Sequence, residues 1–381
     1  MKVFNYEVRW VNSVFLIGTL VTTLIAVPAY IWKFGIDGFQ IAMFLFFFSA
    51  TAGSITLGYH RLFSHLTFHA KWPVKLFTLL FGAAAFEGSA LAWSADHRRH
   101  HKFVDHDEDP YDISKGLFHA HIGWLLFRTG PETPLTWVRD LQKDRLAWWQ
   151  HQYYVPIAIL VGFGLPSLIG YLWGGPVAAL GGFLIAGTAR IVAVHHMTFC
   201  INSLCHWIGD RPYSTDCTAR DSFLMAIFTF GEGYHNYHHE FQHDYRNGVK
   251  PWQWDPTKWT IWLLARVGLV KNLRTVPEEK ILKAQIAEHE RRLCKQLESH
   301  PEPDAIHSLL ENARTRMHDA VVRWETLLTE YRAAKDSQEK LASSKLREMR
   351  RNVREASDQL RLSIREWIQT QRSVLDGGAM A

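Results

Sequence analysis

The chain has 381 residues, with 42 Lys and Arg against 37 Asp and Glu, and 21 His. A chain of this length suggests about two domains, and a net charge of +5 makes no case for a nucleic-acid partner. Its four cysteines (Cys200, Cys205, Cys217, Cys294) lack C-x-x-C spacing, which argues against a disulfide framework or thiolate zinc site and reads as free thiols in a reducing compartment.

Lys2, Glu7 and Arg9 precede a long apolar run that no small-residue cleavage site closes, so the run reads as a retained anchor helix. Val14 to Trp32 and Phe39 to Tyr59 carry no charge. Each is long enough to cross a hydrocarbon core of roughly 30 Å as a helix. Tyr154 to Ala189 is also uncharged, and as one helix it would exceed a single span at roughly 1.5 Å per residue. Gly174-Gly175-Pro176 offers the break. Four membrane spans are therefore expected, at about 13–33, 38–59, 153–173 and 177–198. Lys75 to Trp93 is apolar but contains Glu87, which is costly at mid-membrane. It is read as one amphipathic helix lying against the bundle. Residues 60–152 and 199–276 then form a cap on the same side as both termini. Lys and Arg are dense there, which places the cap in the cytoplasm.

From Pro277 to the end the chain is charged, and apolar residues recur at three- and four-residue steps from Leu309 through Met317 and Trp324 to Leu360 and Trp367. That period is helical with a narrow apolar stripe. Residues 277–381 read as a charged helical hairpin or coiled coil, a packing or self-association element, with a redox-partner docking surface as the alternative.

Histidine carries the chemistry. One cluster is His60 and His65, a second is His97, His100 and His101, a third is His235, His238 and His239, and His206 stands apart. The second and third share the spacing H-x-x-H-H. Positions i, i+3 and i+4 lie on one helix face, so each box is expected to aim three imidazoles at a single locus. The i, i+5 spacing of the first fits a helix end that unwinds at the membrane exit. Imidazole is a good ligand for Fe, Zn, Cu and Ni, and nine are too many for one metal. Two metals with four or five nitrogens each are expected. Two redox metals beside an apolar bundle suggest oxygen chemistry on a hydrophobic substrate. His69, His106, His119, His121, His151, His195, His196 and His243 read instead as interfacial or hydrogen-bonding residues.

These boxes, with Asn202-Ser203-Leu204-Cys205-His206, Asp109-Pro110, Gly123-Trp124-Leu125-Leu126 and Trp254-Asp255-Pro256, resemble the membrane fatty acyl desaturases of the stearoyl-CoA Δ9 type over residues 10–275. The resemblance implies an all-α integral membrane fold, with four transmembrane helices and a cytosolic helical cap that holds a di-iron site. His60, His65, His97, His100, His101, His206, His235, His238 and His239 would hold two Fe ions, and Asn202 would reach one through a water. O₂ would be the co-substrate. An acyl chain on CoA or a membrane lipid would lie in a bent apolar tunnel and leave as a cis alkene. Trp93, Asp96 and Arg128 are the substrate-binding candidates. Where animal members carry basic residues that grip CoA phosphates, this chain has Ala95 and Thr129, and Phe63 replaces a Trp.

Glu232, Asp105, Asp96 and Asp109 are candidates to orient the imidazoles. No haem or flavin signature is visible, so electrons are expected from a separate carrier, a ferredoxin or a cytochrome b5-like protein. The membrane is a bacterial inner membrane or the endoplasmic reticulum. The rival readings are a di-iron alkane or acyl hydroxylase and a membrane metal protein without catalysis.

Overall fold

A computed structural model describes residues 2–3, 6–299, 304–336 and 343–378. The two uncharged N-terminal runs become helices α1 (Trp10–Phe34) and α2 (Gly38–Ser64). Asp37 starts α2 by accepting the Gln40 backbone N–H at 2.7 Å, while the Gln40 side chain accepts the Asp37 N–H at 3.2 Å. This reciprocal cap satisfies two donors that the first turn would otherwise leave bare. Helix α3 is Trp72–Ala83 and α4 is Ala90–Phe103. The third long apolar run forms α5, Tyr154–His206. By length and composition α1, α2 and α5 can cross a membrane.

The break expected in α5 is present. Gly174 and Gly175 leave helical geometry, with Gly175 at φ 71°. Positions equidistant from them face each other. Gly170 lies against the Ala178 carbonyl and Gly182 against that of Pro166, with no room for a Cβ at either. The chain therefore doubles back on itself. Leu160–Gly164 and Gly182–Ala189 are wound as π-helix, and the buried Arg190 guanidinium donates to carbonyls of both segments. It reaches Gly162 O at 2.8 Å, Ala186 O at 3.0 Å and, across the bundle, Ala84 O at 2.6 Å.

The single helix expected over 75–93 is two helices. Residues 84–89 form a turn in which Phe86 (φ 60°) and Gly88 (φ 98°) take left-handed geometry. Ser89 then caps α4 by accepting the Ala92 N–H at 3.2 Å. At about 1.5 Å per residue the twelve residues of α3 reach some 18 Å, too short to span a bilayer.

The first cluster departs from expectation as well. The end of α2, Ser54–Ser64, does not unwind; it is wound as π-helix. An i→i+5 ladder sets residues five apart one above the other, which brings His60 and His65 to the same side. Their backbones are joined directly, His65 N–H to His60 O at 3.1 Å.

Shorter helices complete this unit: α6 (Phe223–Phe228), α7 (His235–Glu240) and α8 (Pro256–Arg266). Not everything is helical. Antiparallel pairs join β1 (Lys2–Val3), β2 (Tyr6–Val8) and β4 (Phe127–Arg128), and β3 (His69–Ala70) with β5 (Val270–Lys271).

Contacts divide the chain into Met1–Val276 and Pro277–Ala381. The second unit contains α9 (Glu278–Ser299), α10 (Asp304–Asp336) and α11 (Ser343–Gly378). Met317, Trp324, Leu360 and Trp367 are in its buried core. The stripe is shifted by one residue at its start, since Leu310 is buried and Leu309 exposed. Pro301 and Pro303 fall outside the described residues.

Candidate metal centre

The eight histidines of the three boxes, together with His206, converge, but on two loci. His60, His65, His97, His101 and His238 form one group, and His100, His206, His235 and His239 the other. Within each group the candidate ligand nitrogens all lie within 4.8 Å of one another. Each H-x-x-H-H box is divided. His97 and His101 serve the first group and His100 the second; His235 and His239 serve the second and His238 the first. Helix geometry gives the reason. At about 100° per residue, i and i+4 are separated by only about 40°, whereas i+3 and i+4 diverge by about 100°. The single locus expected per box is therefore two.

The ring nitrogens approach closely. Nε2–Nε2 distances are 2.8 Å for His65–His97 and 3.0 Å for both His60–His238 and His238–His101. In the second group they are 3.1 Å for His206–His235 and His235–His239. Nitrogens bound at about 2.1 Å and at right angles around a shared metal lie about 3.0 Å apart. The rings are also poor bases. Burial first, and then the neighbouring imidazoles, hold His65, His97, His101, His235, His238 and His239 well below the usual histidine range, so they are neutral. A neutral imidazole keeps one lone pair for a metal.

Outer groups decide which nitrogen that is. Asp109 Oδ1 lies 2.8 Å from His100 Nδ1 and takes its proton as acceptor, while the buried His100 Nε2 has no hydrogen-bond partner among the described residues. Thr218 Oγ1 donates to Asp105 Oδ1 at 2.6 Å and so accepts from His206 Nδ1 at 2.8 Å. Glu232 Oε2 sits 2.9 Å from His60 Nδ1, outside hydrogen-bond alignment. In the first two cases the proton is fixed on Nδ1, leaving Nε2 as the metal donor. This donor set fits a pair of imidazole-bound metals. Burial would raise the Asp109 carboxyl, but His100 holds it below its ordinary range. Burial would also raise Glu232, yet Arg61 and His60 bring it down to about 2. Arg61 donates to Glu232 Oε1 at 2.8 Å and to Asp255 at 3.1 Å, and Asn247 donates to Glu232 Oε2 at 2.6 Å.

Of the four acidic candidates, Asp109 and Glu232 therefore adjoin candidate ligands directly and Asp105 reaches one through Thr218. Asp96 lines the neighbouring cavity instead. Arg61, Asn247, Asp255 and Thr218 were not among the candidates. No spacing marks them, although Arg61 follows His60 directly and Asp255 falls within the Trp254-Asp255-Pro256 motif.

That cavity holds about 650 Å³. Its wall is mostly apolar, with Phe15, Phe86, Phe163 and Phe199 among its residues, and His60 and His97 of the first group reach it. Trp93 and Asn202 line it too, and Trp93 stacks on His97 at 4.8 Å. Arg128 lies apart on exposed β4, near Glu7 and Glu132 at 3.8 Å. Several other histidines are otherwise engaged. His195 bonds Ala85 O at 2.8 Å, His151 bonds Ser89 Oγ at 2.7 Å, and His121 pairs with His196 at 3.0 Å.

The family model for fatty acid desaturases matches residues 38–265. "Acyl-CoA desaturase 1" of Saccharomyces cerevisiae is 39% identical over 300 residues, 77% of this chain and 57% of its own. A "Probable acyl-CoA desaturase" of Schizosaccharomyces pombe is 44% identical over 251 residues, 65% of this chain and 52% of its own. A "Delta(9)-fatty-acid desaturase" of Caenorhabditis elegans is 36% identical over 256 residues, 66% of this chain and 75% of its own. The chain thus spans little more than half the length of the two yeast relatives. With the family model covering most of the first unit and its boxes gathered around paired buried loci, the chain belongs to the fatty acid desaturase family.

Proposed function

We propose that this chain is an O₂-dependent acyl desaturase that places a cis double bond, at position 9, in a long saturated acyl chain carried on CoA or a membrane lipid. The observation that carries this reading is the juxtaposition of two groups of converging imidazoles with an apolar cavity whose wall includes His60 and His97. The reaction balances as loss of two hydrogens from adjacent methylenes, with O₂, two electrons and two protons giving two waters. The electrons come from an external carrier, a ferredoxin or a cytochrome b5-like protein.

His60, His65, His97, His101 and His238 would hold one iron, and His100, His206, His235 and His239 the other. A bound iron pair would supply the redox chemistry on O₂. The protein's own part is positioning and exclusion. Asp109 and Thr218 fix ring tautomers, the Glu232–Arg61 pair buttresses His60, and the phenylalanine-rich wall keeps water from the alkyl chain. Asn202, on that wall, would reach one iron through a water. The doubled-back α5 makes four membrane spans with α1 and α2, and residues 60–152 and 199–276 form a cap on the cytoplasmic side with both termini. The second unit serves self-association.

Expression in a host with a compatible reductant, followed by fatty-acid profiling with double-bond mapping, tests the reading. A new cis-9 monoene should appear, and His100→Ala and His238→Ala should abolish it. A hydroxylated product, or a profile identical to the two variants, would overturn it.

A further inference from the structure

Helix α11 has two unlike faces. At about 100° per residue, Arg347, Arg350, Arg351, Arg354, Arg361 and Arg365 fall within an arc of about 100° on one side of it. All six are exposed. Ala356, Leu360 and Trp367, on the opposite side, are buried in the core of the second unit. Arg347 and Arg365 are about five turns apart and in line, so the stripe is straight and runs for roughly 27 Å at about 1.5 Å per residue. Asp358 is the one acid inside the arc, while Glu348, Glu355 and Glu366 all stand to one side of it.

Charges on the other two helices answer one another across the bundle. Glu279 of α9 pairs with Arg332 of α10 at 2.9 Å, and Glu290 with Arg314 at 3.0 Å. Most of the stripe has no such answer. Arg361 reaches Glu278, but Arg351 meets Glu355 only at 3.7 Å. Among the described residues, no carboxylate lies within 4.0 Å of Arg350, Arg354 or Arg365. Arginine also faces arginine along the helix. Arg347 and Arg351, Arg350 and Arg354, and Arg361 and Arg365 are each spaced i, i+4, at which like charges destabilise a helix. The first turn of α11 has no acid to offset them, whereas α9 opens on Glu278 and Glu279, as the helix dipole favours. The helix holds this repulsion at the expense of its own stability, and an anionic surface laid along the stripe relieves it.

We propose that this stripe is a lipid-surface site, which docks the second unit on the phosphates of anionic lipid headgroups. Guanidinium groups suit that partner, because each presents a planar fork that matches two phosphate oxygens at once. A straight row, unlike a pocket, meets a plane of charge along its whole length. The chain also brings the plane with it. The first unit, which carries the membrane-crossing helices, ends at Val276 and α9 begins at Glu278, so a lipid surface is permanently tethered to the second unit. Attraction to an anionic leaflet strengthens binding about fivefold for each arginine near the surface. Two like stripes repel, so self-association of this unit takes another face. The inference goes beyond the desaturase reading and does not depend on it.

The test uses the full-length protein in nanodiscs of phosphatidylcholine, alone or with about a third phosphatidylglycerol. Arginine modification by phenylglyoxal, mapped by mass spectrometry, reads the stripe without reference to activity. Arg350, Arg354 and Arg365 should react about tenfold more slowly in the anionic discs. Salt at about 1 M, which cuts the screening length to about 3 Å, should abolish the difference. Arg350→Gln, Arg351→Gln and Arg354→Gln together should weaken docking about a hundredfold and return Arg365 to its rate in neutral discs. If that variant fails to fold, the salt titration of the native protein decides alone. Equal rates in the two kinds of disc, protection that salt leaves intact, or equal protection by inorganic phosphate in neutral discs overturns the lipid-surface site. Protection that appears only on adding an acidic redox protein overturns it too, and makes the stripe a protein-docking face.

Discussion

The two histidine groups are built from the same parts in different proportion. Each takes the i and i+4 members of one H-x-x-H-H box and the i+3 member of the other. The first adds the π-wound pair from the end of α2 and reaches five; the second adds only His206 and stops at four. Their supports differ as well. The first leans on a buried charge network, Glu232–Arg61–Asp255, and the second on Asp109 and a Thr218–Asp105 relay. One group thus has a nitrogen to spare and the other has none, so equivalent losses should have unequal consequences.

His101 and His239 give the sharpest comparison. They occupy equivalent i+4 positions, and their rings stack at 4.3 Å. Either alanine variant should cost activity more than about 100-fold, beyond what loss of an outer partner usually costs. Metal content should separate them. His239→Ala leaves three nitrogens and should halve the iron bound per chain. His101→Ala leaves four and should keep both irons. Equal iron content in the two purified variants would remove the distinction between the groups.

Next in size are the carboxylates. Glu232→Gln and Asp109→Asn should each lower metal affinity by roughly 10–100-fold. Only Glu232→Gln should also lower stability clearly, by about 2 kcal/mol, because it takes one of two carboxylates from the buried Arg61 and leaves Asp255 as its counter-ion. Thermal unfolding of the two iron-free proteins checks this, and equal shifts would show that the Arg61 network does not set the first group apart.

Spacing made eight of the nine candidate ligands legible, since three boxes of one residue type survive any uncertainty about where helices end; His206 lies in no box. Division of each box between two loci was not legible, because i+3 and i+4 each share a face with i, and only the position of the opposing box resolves the roughly 100° between them onto separate loci. The turn at Phe86-Glu87-Gly88 was hidden for another reason. An apolar run with one acid reads as an amphipathic helix, and only tertiary partners, Tyr59, Tyr154, Trp93 and Thr198, make the break favourable. The π-winding of 54–64 left a trace in the i, i+5 spacing, which fits a helix that unwinds equally well. Arg61, Asn247 and Thr218 are ordinary polar residues until the fold sets them beside His60 and His206.

Thr218 should give the smallest effect, and its size discriminates between two roles. If its hydroxyl merely fills space, the nearly isosteric Thr218→Val should be silent. The hydrogen-bond chain argues otherwise. Asp105 is an acceptor, the threonine hydroxyl must donate to it, and the oxygen is then left to accept only from a protonated His206 Nδ1. Valine abolishes both bonds, so His206 is free to place its proton on Nε2, the nitrogen that faces His235. The four-donor group has no spare nitrogen to replace it. Loss of a neutral hydroxyl should cost less than loss of the Asp109 carboxylate, about tenfold in iron affinity at the lower end of the range for outer partners. Thr218→Ser should restore it, because the hydroxyl returns without the methyl. Valine and serine variants with the same iron affinity as the native protein would reduce Thr218 to packing.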